Sequence, residues 1–237
     1  MDEPVFHRTI KMTGVSPSDL ICWLKTRLGE TDLQYEIVEA PAVFDLLLTS
    51  NKPAFLDAAV AAVEREWGGF CFANPRERLE EKIGKRLLSI GQTIAVAESC
   101  TGGRIASRLT SVPGSSQYFE SACVSYSNRA KEWLLSVPPA LINEKGAVSK
   151  EVASAMAEGI RVEAGVDIGL AVTGIAGPGG GSRDKPVGLV YISLSDHHQT
   201  SNWEYRLRGD RETIQSEAAQ TALELLRQYL AGGFEGS

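Results

Sequence analysis

The sequence predicts an α/β protein in two parts: a small α+β unit over residues 1–74 and a larger domain over residues 75–237, built as a sheet flanked by helices. Three observations predict it. Short apolar runs alternate with longer segments whose apolar residues recur at helical spacing, the pattern of a sheet covered by helices on both faces. Asn74-Pro75 interrupts the pattern and marks the boundary. A length of 237 residues suits one large domain or two small ones, either able to bury a core.

In the first part, Thr9 to Thr13 reads as a strand. Ser16-Pro17 starts a helix, with Ser as N-cap and Pro at the first helical position. Leu20, Leu24 and Leu28 follow at helical spacing, and Gly29 stops the helix. Tyr35–Glu39 and Phe44–Thr49 read as strands. Pro53 opens a second helix with Leu56, Val60, Val63 and Trp67 on its apolar face.

In the second part, Leu79, Ile83 and Leu87 mark a helix ending near Gly91, and Thr93–Ala97 is a short buried strand. Gly102–Val112 is a helix with Ile105, Leu109 and Val112 inward. Ala122–Tyr126 is a strand, followed by a helix from about Arg129. Ser149 caps a helix whose inner face carries Val152, Met156 and Ile160. Ile168–Thr173, Val187–Leu194 and Trp203–Leu207 are strands, and a last helix from about Asp210 turns Ile214, Ala218, Leu225 and Tyr229 inward. Ligands of such sheets bind beyond the carboxyl ends of the strands.

Composition narrows the function. Hydrophobic residues are 43% and charged residues 23%, ordinary for a globular protein. A net charge of −6 weighs against general nucleic-acid binding, which needs a basic footprint, but leaves room for a small anion met by local positive charge. No apolar run approaches the ~20 residues of a membrane span. Met1-Asp2-Glu3-Pro4 lacks a signal-peptide core. Cys22, Cys71, Cys100 and Cys123 form no CxxC pair, so zinc-site spacing is absent and a reduced, cytoplasmic setting is expected. His7, His197 and His198 lie far in sequence from any candidate nucleophile.

Three segments carry possible chemistry, each after a predicted strand. In Glu98-Ser99-Cys100-Thr101-Gly102-Gly103, a serine between strand and helix can project its hydroxyl into a cleft, and N–H groups at the helix start can hold an oxyanion or phosphate. The same residues also read as a helix cap followed by a glycine turn. Cys100 is a rival nucleophile if its pKa is lowered, or a small buried apolar residue. Glu98 can orient the site or fold back on nearby backbone.

In Tyr126-Ser127-Asn128-Arg129-Ala130-Lys131, with Asn128 as N-cap, Lys131 falls in the first helical turn. The helix dipole and burial both disfavour its charge there, leaving a neutral amine able to act as base. Serine with lysine is a known variant of serine with histidine. Tyr126 can relay the proton or orient the amine; the bland alternative is a solvated lysine and a packed tyrosine. Thr173-Gly174-Ile175-Ala176-Gly177-Pro178-Gly179-Gly180-Gly181 lets backbone approach a ligand closely, without Walker or dinucleotide spacing. Lys185, ahead of the next strand, is positioned to meet a phosphate.

These segments resemble the CinA C-terminal domain family, which includes nicotinamide mononucleotide (NMN) deamidases. The resemblance rests on Ala97–Gly103, Pro113-Gly-Ser-Ser116, Ser125–Asn128 with Lys131, Gly146-Ala-Val-Ser149, and Thr173–Gly181 through Lys185-Pro-Val-Gly188. Several motifs in family order between Ala97 and Gly188 make it specific. It implies hydrolysis of the NMN carboxamide to nicotinic acid mononucleotide and ammonia through an acyl-enzyme. Ser99 would be nucleophile, Lys131 base and Tyr126 the assisting hydroxyl, with no metal or other cofactor. Thr101, Gly102, Gly103, Thr173, Gly174, Gly177 and Lys185 are expected ligand contacts, and Arg211, in Gly209-Asp210-Arg211, an expected phosphate ligand. A further arginine common in the family is replaced by Gln215, which puts phosphate binding in question.

The first part weakly resembles the small KH-like domain of longer CinA proteins, and deamidase activity is expected without their pyrophosphatase domain. RNA binding is not expected, because a Gly-x-x-Gly loop is missing there. A homodimer is expected by resemblance alone. Two other functions stay open: a non-catalytic nucleotide-binding or partner module of the competence and damage-inducible type, and an amidase acting on another carboxamide.

Overall fold

The computed structural model describes residues 4–12, 17–28, 33–40, 43–67, 71–72 and 78–232. The chain divides into two compact units, Met1–Leu79 and Glu80–Ser237. The boundary expected at Asn74-Pro75 lies outside the described residues, as do the Ser16 cap, the strand end at Thr13 and the Gly29 stop.

The first unit runs β1 (Phe6–Met12), α1 (Pro17–Leu28), β2 (Gln34–Ala40), β3 (Val43–Ser50), α2 (Pro53–Trp67) and β4 (Cys71–Phe72). Its sheet has the antiparallel order β2-β3-β1-β4, a split βαβ arrangement. Phe44, Leu46 and Leu48 alternate along β3 and bury one face, where they meet Leu20 and Leu24 of α1 and Leu56 and Val63 of α2. Val60 and Trp67, expected on the inner face of α2, are half-buried, and Trp67 meets Trp23 edge-on at 6.2 Å. The two-residue strand β4 is too short to leave a periodic signal, and sequence reasoning missed it.

The second unit runs α3 (Leu79–Ile90), β5 (Ile94–Glu98), α4 (Arg104–Thr110), β6 (Phe119–Val124), α5 (Asn128–Leu135), α6 (Pro139–Lys145), α7 (Lys150–Ala164), β7 (Ile168–Gly174), β8 (Leu189–Ser195), β9 (Thr200–Arg206) and α8 (Arg211–Gly232). The fold is α/β, a sheet flanked by helices, in the order β6-β5-β7-β8-β9. The strands β6, β5 and β7 are parallel; β8 and β9 return antiparallel. Every residue of β5 is buried, as expected for a central strand covered on both faces. Ala95, Ala97 and Ala171 face a layer of Leu135, Ile142, Val152, Met156 and Ile160 from α5, α6 and α7. On the other face α4 packs on α8, which also meets β7 and β8.

Strand order positions the site. From β5 the chain moves outward through α4 to β6, and from β7 it moves the opposite way to β8. The loops after β5 and β7 therefore part, and a crevice opens between the carboxyl ends of the two neighbouring strands. The Ser99 turn and the glycine loop are those two loops.

The helix that carries Lys131 is set by a close approach. A Cβ on Gly159, in the middle of α7, would lie 2.0 Å from the carbonyl oxygen of Leu135, the last residue of α5. Only glycine lets the end of α5 seat on α7. We predict that Gly159→Ala destabilises the protein by about 1–3 kcal/mol through overpacking and shifts α5. Urea unfolding midpoints of the two proteins check this; an unchanged midpoint would contradict the packing argument.

Candidate active site

Glu98 organises the Ser99 turn. It is fully buried, and its carboxylate accepts N–H bonds from Gly103 (2.8 Å), Ile105 (3.3 Å) and Ala106 (2.8 Å). These are orphan donors of the start of α4, whose N-cap, Gly103, carries no capping side chain. The main-chain oxygen of Glu98 reaches the other way and accepts from the N–H (2.8 Å) and hydroxyl (3.3 Å) of Ser125, just beyond β6. One residue thus joins the serine turn, the next helix and the neighbouring strand end.

Ser99 follows, 8% exposed, and its N–H donates to Val172 O at 3.0 Å. Ser127, one residue earlier than expected, caps α5 by accepting from Ala130 N at 3.1 Å, so Asn128 is the first helical residue and not the cap. Lys131 projects inward from the first turn and is 1% exposed. Its Nζ lies 3.0 Å from Ser99 Oγ and 2.6 Å from Ser125 O. Burial lowers its pKa to about 8. Near neutrality the charged ammonium donates to both oxygens; once deprotonated, the amine can accept the Ser99 proton.

A cleft of about 250 Å³ opens over this pair. Besides Ser99 and Lys131 its lining includes Tyr126, Thr173, the 174–180 loop and Arg211. Ala147 and Val148, from the turn between α6 and α7, form the facing wall. Arg211 donates to Gly177 O (2.7 Å) and to the Tyr126 hydroxyl (2.8 Å), linking the glycine loop to the rim. Cys100 also lines the cleft, but burial pushes its thiol up to about 12, which leaves it protonated and a poor nucleophile.

The expected contacts separate into three groups. Ser99, Lys131, Tyr126, Thr173, Gly174, Gly177 and Arg211 meet at the cleft. Tyr126 is 60% exposed, and its hydroxyl is held by Arg211 rather than turned onto the amine of Lys131. Thr101, Gly102 and Gly103 are not among the cleft-lining residues. Thr101 is fully buried, Gly103 N–H is taken by Glu98, and both glycines line a separate hollow between α4 and α8. The anion site expected at the start of α4 is therefore filled by the protein's own carboxylate. Lys185 is also outside the cleft, its ammonium directed at Lys145 O (2.6 Å) and Val148 O (2.7 Å).

Gln215 is 9% exposed and donates through Nε2 to Cys100 O at 2.7 Å, supporting the serine turn from below. Sequence reasoning missed Ser125, Ala147 and Val148 as parts of the site. A signal was present: all three lie within the quoted stretches Ser125–Asn128 and Gly146–Ser149.

Known proteins share the sequence and the fold of the second unit. Residues 76–230 match the family model of the CinA C-terminal domain. The chain belongs to the CinA C-terminal domain family. A CinA-like protein of Citrifermentans bemidjiense is 42% identical over 226 residues, covering 94% of this chain and 54% of that protein. One from Geobacter metallireducens is 50% identical over 177 residues, covering 75% and 43%. The chain thus spans about half the length of these relatives. The crystal structure of a CinA superfamily protein from Klebsiella pneumoniae superposes with a TM-score of 0.63 at 31% identity, covering 65% of this chain and 96% of that one. The competence/damage inducible protein CihA from Agrobacterium tumefaciens gives 0.60 at 38% identity, covering 63% and 94%. Among the described residues, no helix is long and apolar enough to cross a membrane.

The burial of Lys131 has a stability signature. Its pKa falls from 10.5 to about 8 on folding, so between those values the unfolded chain holds more protons. Stability therefore rises with pH across that window, and below it the buried charge destabilises the fold by about 1–3 kcal/mol. Lys131→Met is expected to exceed the wild type in stability at pH 7, with the difference shrinking toward pH 10.5. Denaturant melts at several pH values measure this, and a pH-independent difference would refute it.

Proposed function

We propose that this protein is a nicotinamide-nucleotide amidase that hydrolyses NMN to nicotinic acid mononucleotide and ammonia through a Ser99 acyl-enzyme. The observation that carries the reading is the 3.0 Å contact between the Lys131 amine and the Ser99 hydroxyl, with the amine pKa lowered to about 8. A nucleophile within hydrogen-bond reach of a base whose pKa lies near the working pH is what amide acyl transfer requires.

In the first half-reaction Ser99 Oγ attacks the carboxamide carbon while its proton passes to Lys131 Nζ. Lys131 returns that proton to the departing nitrogen, and the C–N bond breaks to release ammonia. In the second half-reaction water attacks the ester carbon and gives its proton to Lys131. The ester bond breaks, Ser99 Oγ recovers a proton from Lys131, and the carboxylic acid leaves. The Ser125 carbonyl at 2.6 Å keeps Nζ aimed throughout. No step uses Tyr126 as a proton relay; its bond to Arg211 supports a place at the rim, where Arg211 offers positive charge to the phosphate of the substrate.

The amide class rests on the dyad, and the choice of NMN rests on family resemblance together with the cationic rim. A non-catalytic binding module leaves a buried lysine beside a cleft-lining serine without a purpose. Its best sequence support, Gln215 in place of an arginine, is accounted for by the bond to Cys100 O.

Ammonia release from NMN, nicotinamide and glutamine tests the reading. The wild type is expected to act on NMN, with kcat/KM rising with pH to a plateau above about 8 as Lys131 deprotonates. Ser99→Ala is expected to reduce kcat by roughly 10³-fold or more. Cys100→Ala retains the serine and the base and should keep most of the activity. Loss of turnover in Cys100→Ala with retention in Ser99→Ala would move the nucleophile to the cysteine.

A further inference from the structure

Lys185 lies at the end of the glycine-rich segment, close to the cleft but not lining it. Its backbone closes a tight turn: Ser182 N–H donates to Lys185 O (2.8 Å), and Lys185 N–H donates to Ser182 Oγ (3.0 Å). Two residues on, Val187 packs where a Cβ on Gly177 or Gly181 would stand, 2.7 and 3.1 Å from its side-chain carbons. Residues 182–187 are thus fastened to the loop that forms one side of the cleft.

The Lys185 side chain spans to the other side. Its ammonium donates to Lys145 O at the end of α6 and to Val148 O. Between them, Thr173 Oγ1 donates to Ala147 O at 2.9 Å from the floor of the cleft. Three carbonyls of residues 145–148 are therefore gripped by the two side chains, and Ala147 and Val148 are the facing wall. Gly146 is favoured by its own backbone, whose φ is +78°, and a Cβ there would lie 2.9 Å from the movable Lys185 Nζ. A cation over carbonyls at a helix C-terminus is also electrostatically favoured.

We propose that Lys185 is a positioning residue: its ammonium ties the Ala147-Val148 wall to the glycine loop and so fixes the width of the cleft over Ser99, without contacting the substrate. An ammonium has three donors, and two are committed to the protein's own carbonyls. That differs from a phosphate ligand, which would present its donors to the cleft. The proposal rests on the amidase reading for its substrate but not for its geometry.

The test compares wild type, Lys185→Met and Lys185→Gln on NMN and on nicotinamide riboside, which lacks the phosphate. It also measures acylation of Ser99 by p-nitrophenyl acetate, which requires only the dyad and an open cleft. In Lys185→Met, kcat/KM is expected to fall by about 10- to 100-fold on NMN and nicotinamide riboside alike, because the reacting groups are no longer held in register. The ratio between the two substrates and the pH midpoint near 8 stay as in the wild type. Lys185→Gln, which keeps a donor for one carbonyl, falls between and is read the same way if Lys185→Met does not fold.

A selective loss on NMN alone would overturn the proposal in favour of a phosphate ligand. Unchanged kinetics in both variants would overturn it outright. If the wild type turns over neither NMN nor nicotinamide riboside, the amidase reading fails by itself. The acylation rate then decides the positioning role: a slower rate in Lys185→Met supports it, and an equal rate refutes it.

Discussion

The fully buried carboxylate of Glu98 is the constraint on which the site depends. A charge in that position is tolerable only if its oxygens are filled, and the unpaired N–H groups at the start of α4 fill them. That exchange holds the chain between β5 and α4 in one path and fixes where Ser99 emerges. The same residue's carbonyl holds Ser125, and the Ser125 carbonyl receives Lys131. Nucleophile and base, in direct contact at 3.0 Å, are thus also tied together through the backbone carbonyls of Glu98 and Ser125.

The consequence for electrostatics is a division of labour. The positive end of α4 is spent on Glu98 and is not available to a ligand. The charge that faces the cleft comes instead from Lys131, deep and only weakly basic, and from Arg211 at the rim. Desolvation lowers the Lys131 pKa, while Arg211 stays exposed, with its guanidinium shared between Tyr126 and the glycine loop. One cation sits where a proton must move and the other where an anion can arrive. The crevice between β5 and β7 gives both the same outlet.

Glycine enters this design through close approach as well as through turns. Gly159 lets α5 seat on α7 and so sets the depth of Lys131. Gly174 lies so near Leu189 O, Val190 and Cys100 that a Cβ would come within about 3 Å of each, which keeps the serine turn pressed on β7. The buried thiol of Cys100 fills space there, as small free cysteines commonly do.

The sequence by itself determined the class of fold and the order of its main elements. Periodicity located the large helices and the buried strands, because an apolar face repeats wherever a helix or strand covers a core. It missed β4, too short to repeat, and the seven-residue α6. It also located the three loops at the strand ends, and the motif match singled out Ser99 and Lys131. What only the tertiary structure decided was which polar groups face one another. Thr101, Gly102 and Gly103 are two to four residues from Ser99 yet lie outside the cleft, whereas Arg211 is more than a hundred residues away and lines it. Glu98 takes the helix start, Gln215 takes the Cys100 carbonyl, and Lys185 takes two carbonyls near the end of α6. Each is a donor or acceptor that spacing alone leaves free for a ligand. The physical reason is that buried polar groups must be satisfied, and their partners come from distant parts of the chain that only the fold brings together.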